Sequence, residues 1–345
     1  MGIVTIGDVT SALSDEALQL ILMPTEQCNF RCVYCYENFR NGAMPKETID
    51  AVRSLLSSRI GDLRYLVISW FGGEPLLALD AIASVSEHIR TLLLSNPDVR
   101  YKASITTNGY LLTAATFRRL LDWGVFTYQI SFDGPREQHD RKRILADGRP
   151  TFDRLWTNLI QMKAVPDRFA VTVRLHVDGD NADQVPAFLS QFAQDFGHDD
   201  RFAVYIIELG QYANAPRQDL NLLPSECADR LMQEACSLGQ GLHIPVRVAE
   251  RNNHEFYATC FATKLNSFII RSNGQVSKCI VALEKDANQV GTIHEDGTLS
   301  LDRMKLLAWA RGLSSGETQE LECPLRGIDS CGSGWLEENG TFVKS

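Results

Sequence analysis

The chain has 345 residues, of which 44% are hydrophobic and 22% charged, a composition that excludes an intrinsically disordered protein. With 34 Lys and Arg against 43 Asp and Glu, its formal net charge is −9, which argues against a protein that wraps DNA or RNA. A chain of this length buries a full core without disulfides, so its nine cysteines need another explanation.

Short β-rich runs alternate with amphipathic helical patterns over the first 210 residues. The predicted strands are Gln19–Met23, Tyr65–Trp70, Lys102–Thr106, Val125–Phe132, Ala170–Val177 and Phe202–Glu208. The predicted helices are Lys46–Arg59, Asp80–Leu94, Ala114–Trp123, Phe152–Met162 and Ala182–Gln194. This alternation predicts a parallel α/β sheet, and six βα units indicate a partial (β/α)6 TIM-like barrel rather than a closed one. Catalytic groups in such folds gather at the carboxyl ends of the strands.

The composition changes after about Gly210. A polar, Pro-containing linker leads into a further predicted helix, Ser225–Leu238, and from Val246 the chain becomes short β-like pieces and turns. The sequence therefore predicts a barrel over residues 1–215, a linker with a bridging helix over 216–245 and a smaller module over 246–345.

The N-terminal region shows no signal for secretion or for membrane attachment. Its best apolar run, Leu18 to Met23, is far shorter than the roughly 18 residues of a membrane span. The opening MGIVTIGDVT has neither the basic patch and apolar core of a secretion signal nor the hydroxyl residue that myristoylation requires at position 6. We therefore expect a cytoplasmic protein with no membrane partner, whose clustered cysteines serve metal binding or catalysis.

The strongest chemical signal is the segment Cys28-x3-Cys32-x2-Cys35, directly after the first predicted strand. Three thiolates on one short loop can hold three irons of a 4Fe–4S cluster and leave the fourth iron open to a cofactor or substrate. Zinc is the alternative, although zinc loops favour paired Cys-x2-Cys arms with a matching second pair.

This loop resembles the signature of the radical S-adenosylmethionine (radical SAM) enzymes. That family carries it after the first strand of a partial (β/α)6 barrel, with an aromatic residue before the third cysteine, here Tyr34. The resemblance implies that Cys28, Cys32 and Cys35 bind a 4Fe–4S cluster whose open iron is chelated by S-adenosylmethionine. It also implies reductive cleavage of that cofactor to a 5′-deoxyadenosyl radical, which abstracts hydrogen from the substrate.

Two turns match the family in the order that the barrel predicts. Gly72-Gly73-Glu74-Pro75 closes the second strand, where the family binds the methionine ammonium group of the cofactor. The glycines would let the backbone approach, and Glu74 would offer a negative charge. Asn108 belongs to a TTNG turn after the third strand, where the family has a similar turn near the ribose. A plain βα turn is the alternative at both places.

The segment SFDGP at 131–135, followed by HD at 139–140 and by Arg143, is more specific. It resembles the pattern of peptide- and protein-modifying members, including anaerobic sulfatase maturases and ribosomal-peptide maturases. The resemblance makes Ser131 and Arg143 candidates for holding the carboxylate or ribose of the cofactor.

Arg174 is an unusual charge inside the fifth predicted strand. We expect it to bind a carboxylate, in the cofactor site, and an ion pair at the strand end is the alternative. Side-chain oxidation also calls for a general base, which takes a proton from the substrate. The sequence places four candidates near strand ends without selecting among them: Asp133, His176, Asp178 and Glu208.

Six cysteines remain. Cys227 and Cys236 lie nine residues apart on one predicted helix, which favours a core role for both. The spacing Cys260-x13-Gly274-x4-Cys279 ends in the hairpin-like segment FIIRSNGQVSKC. It is similar to the opening of the SPASM module, or of its shorter twitch form. The resemblance implies one auxiliary 4Fe–4S cluster, and structural zinc or no metal are the alternatives. The segment CPLRGIDSC, with seven residues between its cysteines, departs from the denser cysteine run of the family. The predicted ligands of the cluster are Cys260, Cys279, Cys323 and Cys331.

The resemblance to peptide maturases implies a ribosomally made precursor peptide as substrate and a flavodoxin- or ferredoxin-type reductant. Only 27 residues precede Cys28, so a leader peptide is expected to dock on the barrel, on the module or on a separate leader-binding protein. An auxiliary cluster accepts electrons, which favours an oxidative cross-link, C–C or thioether, over redox-neutral epimerisation. The alternatives are seryl or cysteinyl oxidation, as in sulfatase maturases, a twitch-type small-molecule dehydrogenase, and a non-enzymatic iron–sulfur or zinc protein.

Overall fold

The computed structural model describes residues 6–210, 219–248, 259–328, 335–338 and 341–344. Its centre is a parallel sheet whose strands lie in chain order. They are β1 (Ala17–Leu22), β2 (Tyr65–Trp70), β3 (Arg100–Thr107), β4 (Val125–Phe132), β5 (Ala170–Val177) and β6 (Phe202–Glu208). Each strand pairs in parallel with the next, which confirms the predicted α/β class and is consistent with the partial barrel.

Helices connect these strands. They are α1 (Ile6–Leu13), α2 (Lys46–Arg59), α3 (Leu79–Ser95), α4 (Ala114–Asp122), α5 (Arg136–Lys142), α6 (Phe152–Lys163), α7 (Val185–Phe196) and α8 (Ser225–Gly241). The sequence predicted all of these except α1 and α5, and a 3-10 turn at Ala182–Gln184 precedes α7. Within the described ranges, no helix combines the length and the apolar character needed to cross a bilayer.

The two faces of the central sheet differ in burial because side chains alternate along each strand. One face, represented by Leu20, Ile68, Ile105, Ile130 and Val173, is fully buried and belongs to the main hydrophobic core. On the other face, most side chains of β2 to β6 stay partly accessible. We call this second surface the inner face.

The strands of the predicted C-terminal module continue the same sheet. β7 (Val246–Val248) pairs with β6, and β8 (Ser267–Ile270) pairs in parallel with β1 on the opposite side. Antiparallel strands β9 (Gln275–Ser277), β10 (Gln289–Ile293) and β11 (Leu299–Leu301) follow β8, and a separate hairpin joins β12 (Trp335–Glu338) to β13 (Thr341–Lys344). The predicted domain boundaries stay predictions, but the module's first strand is bonded directly to the barrel's first strand.

Three helices of the C-terminal part were not predicted: α9 (Arg303–Ser315), α10 (Thr318–Glu322) and α11 (Leu325–Ile328). The ends of α9 did carry a sequence signal. Asp302 caps its first turn by accepting a hydrogen bond from Lys305 N at 3.0 Å, and Gly316 ends it in the left-handed region.

Candidate functional site

The three-cysteine loop follows β1 at the carboxyl edge of the sheet, as predicted. Burial raises the pKa of the Cys28 thiol to about 12, and the charges of Glu74, Cys32 and Cys35 add to this rise. Burial, followed by the charge of Cys32, likewise raises the pKa of Cys35 to about 12. Burial and neighbouring negative charges therefore disfavour the thiolate forms of these cysteines in the absence of a metal. A bound cationic metal centre would stabilise the thiolates.

The donor set of this loop fits an iron–sulfur cluster. In the described part of the chain, no group of three or more Cys, His, Asp or Glu side chains is arranged to hold one metal ion. A 4Fe–4S cluster offers a separate iron to each cysteine, so its ligands need not converge on a single point. Three cysteines from one loop thus suit a cluster that keeps one iron open.

The glycine turn after β2 packs against the backbone that leads into the cysteine loop. Gly73 N donates to Thr25 O at 3.3 Å, and Glu74 N donates to Gln27 O at 2.9 Å. A Cβ at Gly72, whose φ is +119°, would lie 2.2 Å from Thr25 O, and one at Gly73 would lie 2.5 Å from Gln27 O. Glycine is therefore required here by the close approach of two backbones.

Glu74 joins this turn to the turn after β3. Its carboxylate is fully buried and accepts hydrogen bonds from Leu76 N at 3.0 Å, Thr107 Oγ1 at 2.7 Å and Asn108 N at 2.7 Å. Burial raises its pKa to about 7, although these three bonds act in the opposite direction. Asn108 is thereby fixed with its Nδ2 3.7 Å from Cys28 Sγ. The predicted contact of Glu74 with a cofactor ammonium stays a prediction.

A second set of buried groups lies where β4 and β5 end. Tyr34 Oη donates to Asp133 Oδ1 at 2.9 Å, and Arg143 Nη1 donates to Tyr34 Oη at 2.8 Å. His176 Nδ1 lies 3.4 Å from Asp133 Oδ1. Burial acts to raise the pKa of Asp133, but His176 and the Arg143 charge hold it below its usual range. Burial lowers the pKa of His176 to about 4, so the imidazole is neutral at pH 7.

Several polar atoms of this set are buried without a hydrogen-bond partner among the described residues: Asp133 Oδ2, Arg143 Nε and Arg174 Nε. Each such atom costs about 1–3 kcal/mol, so their concentration in one place indicates a ligand site. Arg174 makes no ion pair with the described residues, and its predicted role in binding a carboxylate stays a prediction. Its register partner on β4 is Ser131, so these two predicted residues lie side by side.

The structure separates the four candidate bases. Asp178 forms a buried ion pair with Lys142 beside a cavity of about 320 Å³, and Glu208 has an interaction of its own. Asp133 is fully buried beneath Tyr34. His176 lies on the inner face with its side chain 12% exposed and its Nδ1 3.4 Å from Asp133 Oδ1.

The later cysteines form a second group. Burial raises the pKa of Cys279 to about 12, and the charges of Cys260 and Cys323 contribute to that rise, so these three thiols lie near one another. Cys331, the fourth predicted ligand, lies outside the described residues. The core role expected for the two cysteines of α8 is wrong. Both are only half-buried, beside the buried stripe formed by Ala228, Met232, Ala235 and Gly239.

Asn288, which sequence reasoning missed, organises this second group. Its Oδ1 accepts from Lys278 N at 3.0 Å and from Cys279 N at 2.8 Å, while its Nδ2 donates to Cys279 O at 2.8 Å. Cys260 N donates to Leu321 O at 2.7 Å, which joins the Cys260 turn to α10. An Asn in a loop carries no sequence signal for such a role.

A buried ion pair connects the two groups, and it was also missed. Arg271, after β8, donates through Nε to Glu26 Oε1 at 3.0 Å and through Nη2 to Glu26 Oε2 at 2.7 Å. The side chains are 3% and 1% exposed. Glu284 accepts a further bond at 3.1 Å. The bidentate pair fastens the segment before Cys28 to the hairpin β8–β9, which precedes Cys279.

The family model of the radical SAM superfamily matches residues 22–191, which include the cysteine loop, the glycine turn and the Asp133 set. The chain carries a radical SAM domain. An Fe-coproporphyrin III synthase of Methanosarcina barkeri is 23% identical over 231 residues, which are 67% of this chain and 54% of the relative. The matches span about half the length, or less, of the curated relatives.

Solved structures show the same fold around the radical SAM domain. The structure of anSMEcpe with bound AdoMet and the Cp18Cys peptide is 20% identical, with a TM-score of 0.65 over 84% of this chain and 80% of that one. The structure of Streptococcus suis SuiB bound to the precursor peptide SuiA is 16% identical, with a TM-score of 0.59 over 81% of this chain and 63% of that one.

Proposed function

We propose that this chain is a radical SAM enzyme that modifies a side chain of a ribosomally made peptide, through an oxidative C–C or thioether cross-link. The observation that carries the proposal is the three-cysteine loop at the carboxyl edge of the sheet, in the same region as the unpartnered buried atoms of Asp133, Arg143 and Arg174. Buried polar atoms without partners belong at a site that a polar ligand completes.

The residues that would hold the cofactors follow from this arrangement. Cys28, Cys32 and Cys35 would bind a 4Fe–4S cluster, and S-adenosylmethionine would lie against the predicted cofactor residues Tyr34, Gly72, Gly73, Glu74, Asn108, Ser131, Arg143 and Arg174. When bound, the cluster and S-adenosylmethionine supply the 5′-deoxyadenosyl radical that removes a hydrogen atom from the substrate. Arg174, beside Ser131 and without an ion pair among the described residues, would supply a positive charge for a carboxylate, and Glu74 fixes Asn108.

Three observations support a peptide as substrate. The segment from Ser131 to Arg143 resembles that of peptide-modifying members. Two structures of the same fold, anSMEcpe and SuiB, were solved with bound peptides. The inner face also stays partly accessible along β2 to β6, which leaves room for an extended chain.

The second cysteine group supports an oxidative outcome. Cys260, Cys279 and Cys323, with Cys331 as the predicted fourth ligand, would hold an auxiliary 4Fe–4S cluster, a one-electron acceptor. Loss of two hydrogens from a substrate also needs a proton acceptor. His176 is our candidate for this role, because its side chain lies on the inner face and Asp133 lies 3.4 Å from its Nδ1.

The test is anaerobic reconstitution with iron and sulfide, followed by reduction in the presence of S-adenosylmethionine and the peptide encoded beside the gene. The proposal expects about eight irons per chain, release of 5′-deoxyadenosine, and a peptide lighter by about two hydrogens. Deuterium uptake without mass loss would indicate epimerisation, and turnover of a free sugar or alcohol would indicate a small-molecule dehydrogenase. Absence of cofactor cleavage would leave only a non-enzymatic metal protein.

A further inference from the structure

The charged side chains of the inner face are all of one sign in the described strands β1 to β7. Side chains of β1 to β7 that point to this face include four cations, Arg100, Lys102, Arg174 and Arg247, and no Asp or Glu. The chain as a whole has nine more acidic than basic residues. The sheet therefore concentrates positive charge on one surface of a protein whose net charge is negative, a pattern that attracts anionic ligands.

Three of these cations, Arg100, Lys102 and Arg174, form no ion pair within the part of the chain that the structure describes. The guanidinium group of Arg100 lies 5.8 Å from the centroid of the Tyr65 ring, and it has no carboxylate partner among the described residues. Arg100 and Lys102 are exposed, whereas Arg174 is half-buried.

The spacing of these cations distinguishes an extended ligand from a compact one. Arg174 pairs with Ser131, and the register of β3 and β4 places Ser131 level with Asn108, six residues after Lys102. At about 3.3 Å per residue, the two ends of the face are about 20 Å apart. A nucleoside triphosphate needs its cations close together, so separated single cations fit carboxylates that are spread along an extended chain.

We propose that the inner face binds an acidic segment of the substrate peptide, with its carboxylates beside Arg100 and Lys102 and the residue to be modified nearer Arg174. The inference rests on the proposed function and adds the charge of its substrate. Between the two ends, uncharged polar side chains such as Ser104, Gln129 and Thr172 would contact the peptide without selecting a charge.

The test uses two short fluorescein-labelled peptides of one sequence, in which the glutamates of the first are glutamines in the second. Fluorescence anisotropy with the anaerobically reconstituted full-length enzyme should show binding about tenfold tighter for the Glu peptide at low ionic strength, decreasing with added salt. Arg100→Glu/Lys102→Glu should remove this preference, and Arg100→Gln/Lys102→Gln should reduce it. Circular dichroism checks that each variant folds.

The matched control is Arg90→Glu/Arg303→Glu, which changes the net charge equally but on the exposed surfaces of α3 and α9. It should leave the preference for the Glu peptide intact. Equal affinity for the two peptides, equal losses in the two double variants, or binding of labelled GTP in place of the Glu peptide would each overturn the inference. Cleavage of S-adenosylmethionine is assayed on the same samples. Cleavage without peptide preference contradicts only this inference, whereas absence of cleavage contradicts the proposed function.

Discussion

The two cysteine groups are built in opposite ways. Cys28, Cys32 and Cys35 come from eight consecutive residues, so one loop after β1 brings them together. Cys260, Cys279 and Cys323 come from three separate segments. Asn288 holds the backbone around Cys279, and a backbone hydrogen bond joins Cys260 to Leu321, two residues before Cys323. The spacing of the first group indicates a metal site by itself, whereas the second group was predicted only through the family resemblance of the Cys260–Cys279 spacing, because tertiary contacts bring Cys323 near them.

The largest expected difference between the groups is in the first chemical step. Cys28→Ala should abolish cleavage of S-adenosylmethionine, because the cofactor would lose its cluster. Cys279→Ala should halve the iron content from about eight to about four and stop peptide modification, yet leave cleavage measurable. Iron and 5′-deoxyadenosine are quantified for both variants, and Cys227→Ala on α8 is the control. If Cys279→Ala were as inactive in cleavage as Cys28→Ala, the two groups would not be separable.

The ion pair between Glu26 and Arg271 tests whether the groups are coupled. Arg271→Met should lower the free energy of unfolding by about 3–5 kcal/mol, because it leaves a buried carboxylate without its partner. It should also change the EPR spectrum of the reduced cluster with S-adenosylmethionine. Glu26→Gln/Arg271→Met removes both charges and should recover part of the stability. Similar losses in Arg201→Met, whose partner Asp199 is half-buried, would show that the effect is not specific to this pair.

Two buried asparagines, one beside each cysteine group, allow the two groups to be compared by matched substitutions. Asn288→Ala removes the bonds around Cys279 and should cost about 2–3 kcal/mol of unfolding free energy together with the auxiliary iron. Asn158→Ala is its counterpart in the barrel, since the Asn158 amide donates to Gly109 O at 2.7 Å beside Asn108. It should destabilise comparably but keep the full iron content. Iron analysis and urea unfolding of both variants distinguish the outcomes.

The smallest effect concerns pH. Burial lowers the pKa of His139 to about 3, whereas an unfolded histidine has a pKa of about 6.5. The unfolded state therefore binds more protons below pH 6.5, and stability is lost as the pH falls towards 3, by about 2 kcal/mol at pH 5. The pKa of Glu74, raised to about 7, acts with the opposite sign. Glu74 is present in both wild type and His139→Gln, so its contribution cancels when the two are compared. The difference between their unfolding free energies, measured with urea, should decrease by about 2 kcal/mol between pH 7 and pH 5. An unchanged difference would contradict the neutral buried histidine.

Much of the fold follows from the sequence because strongly periodic segments dominate it. Four of the six predicted barrel strands, including Val125–Phe132, have the observed bounds. Helix α5 was missed because its sequence, REQHDRK, has no apolar stripe and depends on tertiary contacts of His139 and Lys142. The continuation of the sheet from β1 to β8 was also missed, since the paired segments are far apart in the chain.

The candidate site divides in the same way. The cysteine loop and the turns at strand ends are short motifs, and the structure brings them to one edge. The bonds that the buried Glu74 carboxylate accepts from Thr107 and Asn108 were not predicted, because the motif does not show which groups the carboxylate meets in the folded chain. Its contact with the cofactor stays a prediction. Glu26 and Arg271 are 245 positions apart, so only the folded chain reveals them as partners.

The parallel pairing of β1 with β8 sets an order of events during synthesis. While a nascent chain lacks residues 267–271, β1 remains an edge strand whose backbone groups on that side are unpaired. Glu26 then has no Arg271 to neutralise its charge. The surroundings of Cys28 are thereby completed only after the chain has been synthesised past Arg271. A chain released before this point would contain the three-cysteine loop but would lack β8 and Arg271, which hold the segment before it.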